Sequence, residues 1–374
     1  MTRQDNTIGI IQPFVPNYRY GLFEAMSSML ADEGLKLEIW HSEPDERMAA
    51  QGNAVQGPWS VPLRERRLKV AGITLKYRSV HSRAIRARAV VAGLASTYLE
   101  TYMLAADPRV NLMLWGHGRS YTSTNRGPDV IAERWLRGQS THVFTYTESG
   151  KAYVVGDGTS SDAVTVLRNS TDTQRLWALL ENLTKADETE LRAGLQIPET
   201  ARVGLFVGAY DEPKKLPILL AAADIVAARD PNFMLVLAGA GPDQSRILEY
   251  ARTRQYVRSM GRVDEVMLAK LSRIVDVILI PGRIGLVAVD ALALGLPIVT
   301  TQYEFHAPEA EYLTPNKDSV WTGNSVEEYA EGILLLLEDR ERLKTMSQSA
   351  KIKGRQFSIE KTAERFVKGI LAAL

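Results

Sequence analysis

The 374-residue sequence contains no cysteine. This absence excludes a disulfide framework, a thiolate metal site and a cysteine nucleophile. No apolar run approaches the 18 or more residues that a membrane-spanning helix needs. The first residues, Met1–Thr7, lead into an apolar strand without the apolar core of a signal peptide. Together these absences predict a cytoplasmic protein.

Signatures of several enzyme classes are also missing. The sequence has no G-x-S-x-G nucleophile elbow, no Walker A loop and no His-Glu-x-x-His pair. Serine hydrolase, P-loop NTPase and zinc protease chemistry therefore have no support.

What the sequence does contain is an alternation of short apolar strands and amphipathic helices. This alternation is typical of parallel sheets covered by helices on both faces, so the predicted class is α/β. The length allows two ordinary domains. We place the boundary near Asn169–Thr173, which gives domains of residues 1–170 and 171–355 and a final helix, 356–374, that packs back on the first domain. A long helix is predicted over Ser82–Ala105.

Charge is distributed unevenly along the chain. Nine basic residues and one acid between Arg64 and Arg88 give this segment a charge of +8, whereas the whole chain carries +1. One interpretation is a solvated helical face. The other is a patch for anionic lipid headgroups or a phosphorylated acceptor, which predicts peripheral association with the inner face of a membrane. Nucleic acid is not expected as a partner, because only Tyr77 is available there for base stacking.

One strand-to-helix turn has the pattern of an anion site. The apolar strand Val277–Ile280 runs through Gly282, Arg283, Gly285 and Leu286 into a helix that contains Asp290. Such a turn presents free backbone N–H groups and the positive end of the helix dipole. Asp290 lies one turn into the helix, where its carboxylate can accept a hydrogen bond from a ribose. The alternative is a purely structural glycine turn.

Two further loops are expected at the same edge of the sheet. Gly208 ends one strand shortly before Lys215, and Gly239 and Gly241 end another. Ligands of open α/β sheets bind beyond the carboxyl ends of the strands, so these loops should converge in one crevice. The second loop lacks a third glycine before its helix and is not a dinucleotide fingerprint. We therefore predict a diphosphate site, although a lysine such as Lys215, taken alone, is more often an ordinary surface residue.

These loops also resemble those of a known family, the retaining GT-B glycosyltransferases of family 4 (glycosyl transferases group 1). The similar segments are Phe206–Tyr210 followed by Lys215, Leu235–Pro242, Gly282–Pro297 and the strand Val164–Asn169. The resemblance covers roughly residues 164–300. It implies two Rossmann-like domains facing each other across a cleft, with the nucleotide in the C-terminal half. No Asp-x-Asp triplet occurs, which counts against the metal-dependent GT-A class.

The sequence departs from the family pattern at two positions. The family's pair of glutamates falls on Gly282 and Asp290, and its phosphate-binding arginine falls on Ala209. The resemblance implies that Asp290 keeps the ribose contact, whereas Gly282 has no side chain for the donor sugar. Lys215 and Arg283 are then the basic side chains that remain to neutralise the diphosphate charge.

Other candidate residues rest on weaker patterns. Glu309 and Glu311 lie where the family has a loop closing over the donor, and either is a candidate for the missing sugar contact. His117, between two glycines at the end of a strand, matches a catalytic histidine that relatives place near the donor sugar. Arg19 follows the first strand in a P-x-Y-R segment and is a candidate for a phosphate or acceptor group. A structural role remains the alternative for each.

The resemblance implies transfer of a sugar from a UDP- or GDP-sugar to a hydroxyl acceptor, with retention and without a metal or another cofactor. The expected acceptor is a glycan or a lipid-linked saccharide. Two alternatives remain open: a sugar-nucleotide epimerase or hydrolase of the same fold, and a catalytically silent homologue that binds nucleotide.

Overall fold

The computed structural model of the chain describes residues 5–44, 54–70, 72–118 and 128–374. The chain forms two compact units. Unit 1 comprises Met1–Asn169 and Ile359–Leu374, and unit 2 comprises Ser170–Ser358.

Unit 1 is built on a parallel sheet. Its strands are β1 (Thr7–Gln12), β2 (Lys36–His41), β3 (Ser60–Pro62), β4 (Glu65–Val70), β5 (Ile73–Arg78), β6 (Ala89–Gly93), β7 (Leu112–Trp115), β8 (His142–Thr145) and β9 (Val164–Val166). Its helices are α1 (Tyr20–Asp32), α2 (His81–Ala84), α3 (Leu99–Ala105), α4 (Pro128–Gly138), α5 (Glu148–Gly156) and, from the C-terminus, the helix Ile359–Ala372. Seven strands pair in the order β3-β2-β1-β6-β7-β8-β9, while β4 and β5 form a separate antiparallel hairpin.

Apolar side chains cover both faces of the unit 1 sheet. One cluster lies between the sheet, α1 and the C-terminal helix, and the other lies beneath α3 and α4. The C-terminal helix is fixed by packing of Phe366 against Phe144, with ring centroids 4.3 Å apart. The hydroxyl of Thr362 also donates to the carbonyl of Arg168 over 2.9 Å. The last helix of the chain is therefore part of the unit 1 core.

The prediction of one long helix over Ser82–Ala105 is wrong. Strand β6 lies in its middle, where Val90 and Val91 pair with β1 on one side and with β7 on the other. A short apolar run cannot be assigned to helix or strand by periodicity alone, and the β-branched valines favour the strand. The buried centre of the sheet decides the conformation.

The interpretation of the basic segment as a helical face is also wrong. Its first part forms the β4–β5 hairpin, in which Glu65 pairs with Arg78 and Val70 with Ile73. Its last part precedes β6, where the amide of Arg88 donates to the carbonyl of Thr7 at the amino end of β1. The basic residues are thus divided between two places in unit 1 and do not form one stripe.

Unit 2 is a second α/β layer structure. Its strands are β10 (Arg202–Ala209), β11 (Phe233–Ala240), β12 (Val257–Gly261), β13 (Val277–Leu279), β14 (Ile298–Thr301) and β15 (Ser319–Thr322), paired in the order β12-β11-β10-β13-β14-β15. Its helices are α6 (Thr173–Asn182), α7 (Lys185–Leu195), α8 (Leu216–Arg229), α9 (Gln244–Arg252), α10 (Glu265–Leu271), α11 (Val287–Leu294), α12 (Val326–Glu338) and α13 (Arg340–Gly354). The C-terminal helix of unit 1 is α14 (Ile359–Ala372). The predicted α/β class is confirmed.

The long central strands of unit 2 explain why its elements were predictable. β10 and β11 pair in register over eight residues, from Arg202 with Phe233 to Ala209 with Ala240. Both are near-continuous apolar runs, as expected of parallel strands buried on two faces. Helix starts carry clear signals as well: Thr184 and Ser325 form capping boxes with Asp187 and Glu328.

Candidate active site

The strand-end loops of unit 2 meet at a topological switch point. The strand order runs outward from β10 through β11 in one direction and from β13 through β14 in the other. In open α/β sheets the loops on the two sides of such a point diverge and leave a crevice for a ligand. Here the loops are tied together by backbone hydrogen bonds, from Tyr210 N to Ala240 O (3.0 Å) and from Arg283 N to Pro213 O (2.8 Å). The structure brings the predicted loops to one place.

Glycine permits this close approach of backbones. A Cβ atom on Gly239 would lie 2.0 Å from the carbonyl oxygen of Gly208, and one on Gly241 would lie 2.5 Å from that of Tyr210. No real Cβ contact is so short, so a larger residue would force the loops apart. The predicted residues Gly208, Gly239 and Gly241 therefore allow the backbones of the two loops to lie in direct contact.

Gly282 is held by the same kind of contact. Its Cβ position would lie 2.2 Å from the carbonyl oxygen of Pro213 and 2.5 Å from the carbonyl carbon of Lys214. A glutamate, which the family places here, has no room unless the 213–214 backbone moves. Gly282 is therefore required by the close approach of the 213–214 backbone.

Two lysines at the end of that loop have different surroundings. The ammonium of Lys214 donates to the carbonyl of Arg283 over 2.7 Å, and its Cε lies 3.3 Å from the Cβ position of Gly208. Burial lowers the pKa of Lys214 to about 8, although the carboxylate of Asp211 acts in the opposite direction. Lys215 has a left-handed backbone, with φ of 54°, and its ammonium lies 5.5 Å from the centroid of the Tyr303 ring.

Lys214 was missed as a site residue by sequence reasoning, because it looks like an ordinary neighbour of Lys215. Its ammonium group lies between the loops after β10 and β13, at the switch point itself. A buried ammonium is costly to desolvate, and an anionic ligand relieves that cost. The arrangement therefore favours a ligand with negative charge.

The amino end of α11 provides backbone donors beside the lysines. Leu286 is the N-cap residue immediately before α11, and a Cβ on Gly285 would meet nothing closer than 3.9 Å. The first N–H groups of a helix have no acceptor within it, and the helix dipole adds a partial positive charge. Gly285 and Leu286 thus lie where backbone amides can bind a phosphate oxygen.

The turn before α11 is fixed by the loop that follows β14. The guanidinium of Arg283 donates to Phe305 O (2.8 Å), and the imidazole of His306 accepts from Ile284 N (3.1 Å) and donates to Thr301 O (3.0 Å). These partners require the neutral imidazole with its proton on Nε2, and burial lowers the pKa of His306 in the same sense. Arg283 and His306 therefore hold the turn in place.

Asp290 lies one turn into α11 and is partly buried. Its carboxylate accepts a hydrogen bond from the hydroxyl of Thr171 over 2.6 Å. Burial raises the pKa of Asp290 to about 6, and the negative charge of Glu265 adds to the shift. A ribose hydroxyl that bonds to Asp290 would share or replace the contact with Thr171.

The two glutamates expected over the donor differ in exposure. The segment Pro308–Tyr312 forms a short 3-10 turn in which Glu309 is only 5% exposed, whereas Glu311 is exposed. The amide of Ala307 donates to Ile284 O over 2.8 Å, which joins this turn to the one before α11. A role of either glutamate in sugar binding stays a prediction.

Unit 1 has a cavity of about 210 Å³ at its own switch point, between β1 and β6. The residues that line it come from the carboxyl ends of β1, β5, β6, β7 and β8, from the turn before α1 and from the start of α3. Their polar members include Gln12, Arg19, Arg78, Glu100, His117 and Tyr146. The predicted residues Arg19 and His117 are thus brought together in one cavity.

Arg19 is held in a fixed position within this cavity. Its guanidinium donates to Gln12 Oε1 and to the hydroxyl of Tyr146 (3.0 Å), and it lies over the Trp115 ring, 4.3 Å from the centroid. A guanidinium stacked on an indole and bonded at its edge is preorganised for a planar anionic group. His117 lies at the rim, exposed to solvent, with its ring 4.9 Å from that of Tyr146.

The far wall of the cavity contains a buried ion pair that sequence reasoning missed. The guanidinium of Arg78 is fully buried and donates to both Glu100 and Glu65 (2.6 Å to the latter) and to the hydroxyl of Ser42 (2.6 Å). Burial raises the pKa of Glu100, although the charge of Arg78 opposes that shift. Arg78 was one basic residue among nine in the sequence, and no local signal marked it as buried.

Within the described ranges, which leave out residues 1–4, 45–53, 71 and 119–127, no group of three acidic or histidine side chains is placed to hold a metal ion. In the same ranges no helix is long and apolar enough to cross a membrane.

Comparison with solved structures identifies the architecture. HepE from Anabaena, solved in complex with UDP, superposes with a TM-score of 0.67 over 98% of this chain and 100% of that one, at 16% sequence identity. At this identity the likeness establishes the fold alone. The chain has the GT-B fold, as its resemblance predicted.

Sequence comparison then identifies the family that the chain resembles. Residues 187–353 match the model of the glycosyl transferases group 1, so the resemblance found from the loops is confirmed over this region. The phosphatidyl-myo-inositol mannosyltransferase of Mycolicibacterium smegmatis is 31% identical over 112 residues, 29% of each chain. The D-inositol 3-phosphate glycosyltransferase 2 of Catenulispora acidiphila is 27% identical over 199 residues, 49% of this chain and 46% of that one. The matched segments thus span less than half the length of these curated relatives.

Proposed function

We propose that the protein is a glycosyltransferase that transfers a sugar from a UDP- or GDP-sugar to a hydroxyl acceptor, with retention of configuration and without a metal ion. The observation that carries this proposal is the convergence of the loops after β10, β11 and β13 at the switch point of unit 2. A group 1 family match over residues 187–353 and a fold shared with a UDP-bound protein support it.

The proposed chemistry rests on stabilising the diphosphate as it leaves the sugar. Lys214 and Lys215 would neutralise its charge, and the amides at Gly285 and Leu286 would donate to its oxygens. Preorganised donors of this kind are usually the largest contribution to catalysis, because they need no reorganisation as charge develops. Two lysines and a helix amino end also take over the part that a divalent cation plays in other enzymes.

Asp290 and Arg283 have separate tasks in this proposal. Asp290 would accept a hydrogen bond from the ribose, in exchange for that of Thr171. Arg283 would act through the backbone by keeping the turn before α11 in place. Glu309 and Glu311 remain candidates for the sugar contact that Gly282 does not make.

The acceptor would bind in unit 1, with His117 near the transferred sugar. We propose that Arg19, stacked on Trp115, meets a negatively charged group of the acceptor, such as the phosphate of a lipid-linked saccharide. The names of the mannosyltransferase and of the inositol 3-phosphate glycosyltransferase support an acceptor with phosphate, since both relatives are named for phosphorylated inositols.

A second candidate function is nucleotide binding without sugar transfer. The close approach of the 213–214 backbone to Gly282 favours it, because this approach leaves no room for the glutamate that the family has at this position. The donor sugar therefore lacks that partner. A sugar-nucleotide epimerase or hydrolase would share the donor site but would need no acceptor.

A screen of UDP- and GDP-sugars in the presence of a metal chelator tests the proposal. A donor at about 100 times its dissociation constant should stabilise the protein by roughly 2.7 kcal/mol. The cognate donor should also yield a glycosylated acceptor, with the anomer of the product identified by NMR. Nucleotide binding without turnover would select the silent homologue, free sugar or an epimer would select the hydrolase or epimerase, and no stabilisation at millimolar nucleotide would reject all three.

A further inference from the structure

Unit 2 contains a cavity of about 520 Å³ that none of the predicted site residues lines. It lies between α6, α11 and the end of α13, and its lining residues are Trp177, Leu180, Glu181, Ala293, Lys351 and Arg355. Cavities of roughly 300–1,000 Å³ with a mainly apolar lining and a few polar groups are typical of small-molecule sites. The size of this cavity therefore suits a small ligand.

The cavity lies at the opposite end of α11 from the proposed phosphate contacts. Ala293 is in the last turn of α11, whereas Gly285 and Leu286 precede its first residue. A helix rises 1.5 Å per residue, so about 12 Å separates these two ends. Because α11 connects the parallel strands β13 and β14, its last turn lies toward the amino ends of the strands, away from the edge where the nucleotide loops meet. A ligand of this cavity is therefore distinct from the nucleotide.

Direct packing fixes the walls of the cavity. The indole Nε1 of Trp177 donates to the carbonyl of Ala293 over 3.1 Å, which joins α6 to the end of α11. A Cβ on Gly354 would lie 2.5 Å from the carbonyl oxygen of Leu292, so α13 ends in contact with α11. Trp177 and Leu180 are half-buried, and they pack against the core of unit 2 as well as lining the cavity. The cavity is thus preformed, and a ligand that enters it orders few additional groups.

Charged side chains surround this apolar surface. Lys351 and Arg355 are exposed and lie four residues apart at the end of α13. The stem of Lys351 lies across the turn after α11, because a Cβ on Gly295 would be 2.3 Å from the Cε of this lysine. Glu181 of α6 contributes one carboxylate. Two cations and one carboxylate give the lining side chains a net charge of +1.

This combination selects a class of ligand. The Trp177 ring and Leu180 favour an apolar, planar body, and an ammonium and a guanidinium favour an anionic group. A second negative charge would be repelled by Glu181, so the lining disfavours a polyphosphate. We propose that the cavity between α6, α11 and α13 binds a small amphiphilic anion, with a planar apolar body and a single carboxylate or sulfonate group. This proposal does not depend on the proposed glycosyltransferase function.

A pair of fluorescent probes tests both parts of the proposed ligand. 1-Anilinonaphthalene-8-sulfonate has an apolar ring system and one negative charge, whereas N-phenyl-1-naphthylamine has the same rings without the sulfonate. Their fluorescence increases when they leave water, so titration of the wild-type protein measures both affinities. The sulfonate probe should bind about tenfold more tightly, because each exposed ion pair contributes up to about fivefold.

Two variants of the lining should affect the probes differently. K351S/R355S removes both cations, so it should weaken binding of the sulfonate probe by about tenfold and leave the neutral probe within twofold of the wild type. L180S removes apolar contact area, so it should weaken binding of both probes by about fivefold. Circular dichroism melting of each variant shows whether it is folded.

Other parts of unit 2 supply matched controls. R273S/K317S removes two exposed cations that do not line the cavity, and L248S removes a leucine that is 51% exposed. Both controls should bind the two probes within twofold of the wild type. Equal losses in the controls and the lining variants would overturn the proposal, and so would wild-type binding that is equal for the two probes or absent for both.

The titration is repeated with saturating UDP. The affinity for the sulfonate probe should stay within twofold, whereas displacement by UDP would place the probe among the nucleotide loops and overturn the proposal. Probe binding that the lining variants weaken, without any thermal shift by UDP, would contradict the proposed function and leave this cavity site standing. A UDP shift without probe binding would do the reverse.

Discussion

The two switch points of the molecule are built from different parts of the chain. In unit 2 the loops contact each other through backbone, with Gly239 and Gly282 at the closest approaches. In unit 1 the cavity is walled by side chains, above all the buried pair of Arg78 and Glu100. A site formed by backbone contacts requires glycines at fixed spacings, which can be recognised in the sequence. A site formed by side chains that are distant in sequence has no such local pattern. The difference also predicts how each site fails when it is changed.

Loss of the buried charge in unit 1 should have the largest effect. Arg78→Ala leaves the carboxylates of Glu65 and Glu100 without their cation, and breaking a buried pair costs about 3–5 kcal/mol of unfolding free energy. Urea denaturation measures this loss, and UDP binding by unit 2 should survive wherever the variant is folded. As the control, Lys36→Ala removes an exposed partner of Glu38 and should change stability little. Similar results for the two variants would show that the buried pair does not support unit 1.

Substitution of His117 should affect turnover but not nucleotide binding. His117→Ala is expected to lower turnover by about 100-fold, the lower range for a positioned acid, base or charge stabiliser. Its UDP affinity should stay within twofold of the wild type, because the nucleotide loops belong to unit 2. Steady-state kinetics and calorimetric titration of the same preparation measure both quantities. An unchanged rate would assign His117 a structural role.

A methyl group at Gly282 should test the backbone-built site. Gly282→Ala places a Cβ 2.2 Å from Pro213 O, so the 213–214 backbone must move, at a cost of about 1–3 kcal/mol. UDP affinity should fall with it, since Lys214 is displaced. Gly194→Ala, in helix α7 with open space around its Cβ position, is the matched control. The control should be neutral or stabilising by up to about 1 kcal/mol; an equal loss in both would refute the packing account.

The pH dependence of UDP binding should report on Lys214, with the smallest effect of the four. The pKa of Lys214 is about 8, so its positive charge is present at pH 7 and is lost as the pH rises through that value. Asp211 and Arg283 are the charged groups that face it, and the terminal phosphate of UDP is already ionised in this range. UDP affinity should therefore fall by up to about tenfold between pH 7 and pH 9. Lys214→Arg stays charged at both pH values and should flatten the curve; a curve like that of the wild type would rule Lys214 out.

The fold could be predicted where the pattern of one segment determined its structure. The long apolar runs of β10 and β11 and the capped helices of unit 2 are examples, because their neighbours in sequence already specify strand or helix. β6 could not be predicted, since Val90 and Val91 are assigned to a strand only by burial between β1 and β7. The β4–β5 hairpin was missed because alternating basic residues also suit a solvated helix.

The candidate site shows the same limit. The meeting of the loops that contain Gly208, Gly239 and Gly285 could be predicted, because glycine turns at strand ends have a spacing that a single sequence displays. Lys214 and Lys215 are indistinguishable in the sequence, and only the folded chain shows that Lys214 donates to Arg283 O whereas Lys215 lies near the Tyr303 ring. Arg78 pairs with Glu100 across 22 residues, a contact that only the folded sheet brings about.

Hydrogen–deuterium exchange of the whole protein with and without UDP, in the presence of a metal chelator, tests the central claim most directly. The account predicts that UDP slows exchange most strongly in three segments of unit 2, residues 208–216, 239–244 and 282–290. The β4–β5 hairpin should exchange at the same rate in both states. Protection that is strongest in the unit 1 cavity, or absent throughout at saturating UDP, would contradict the assignment of the nucleotide site.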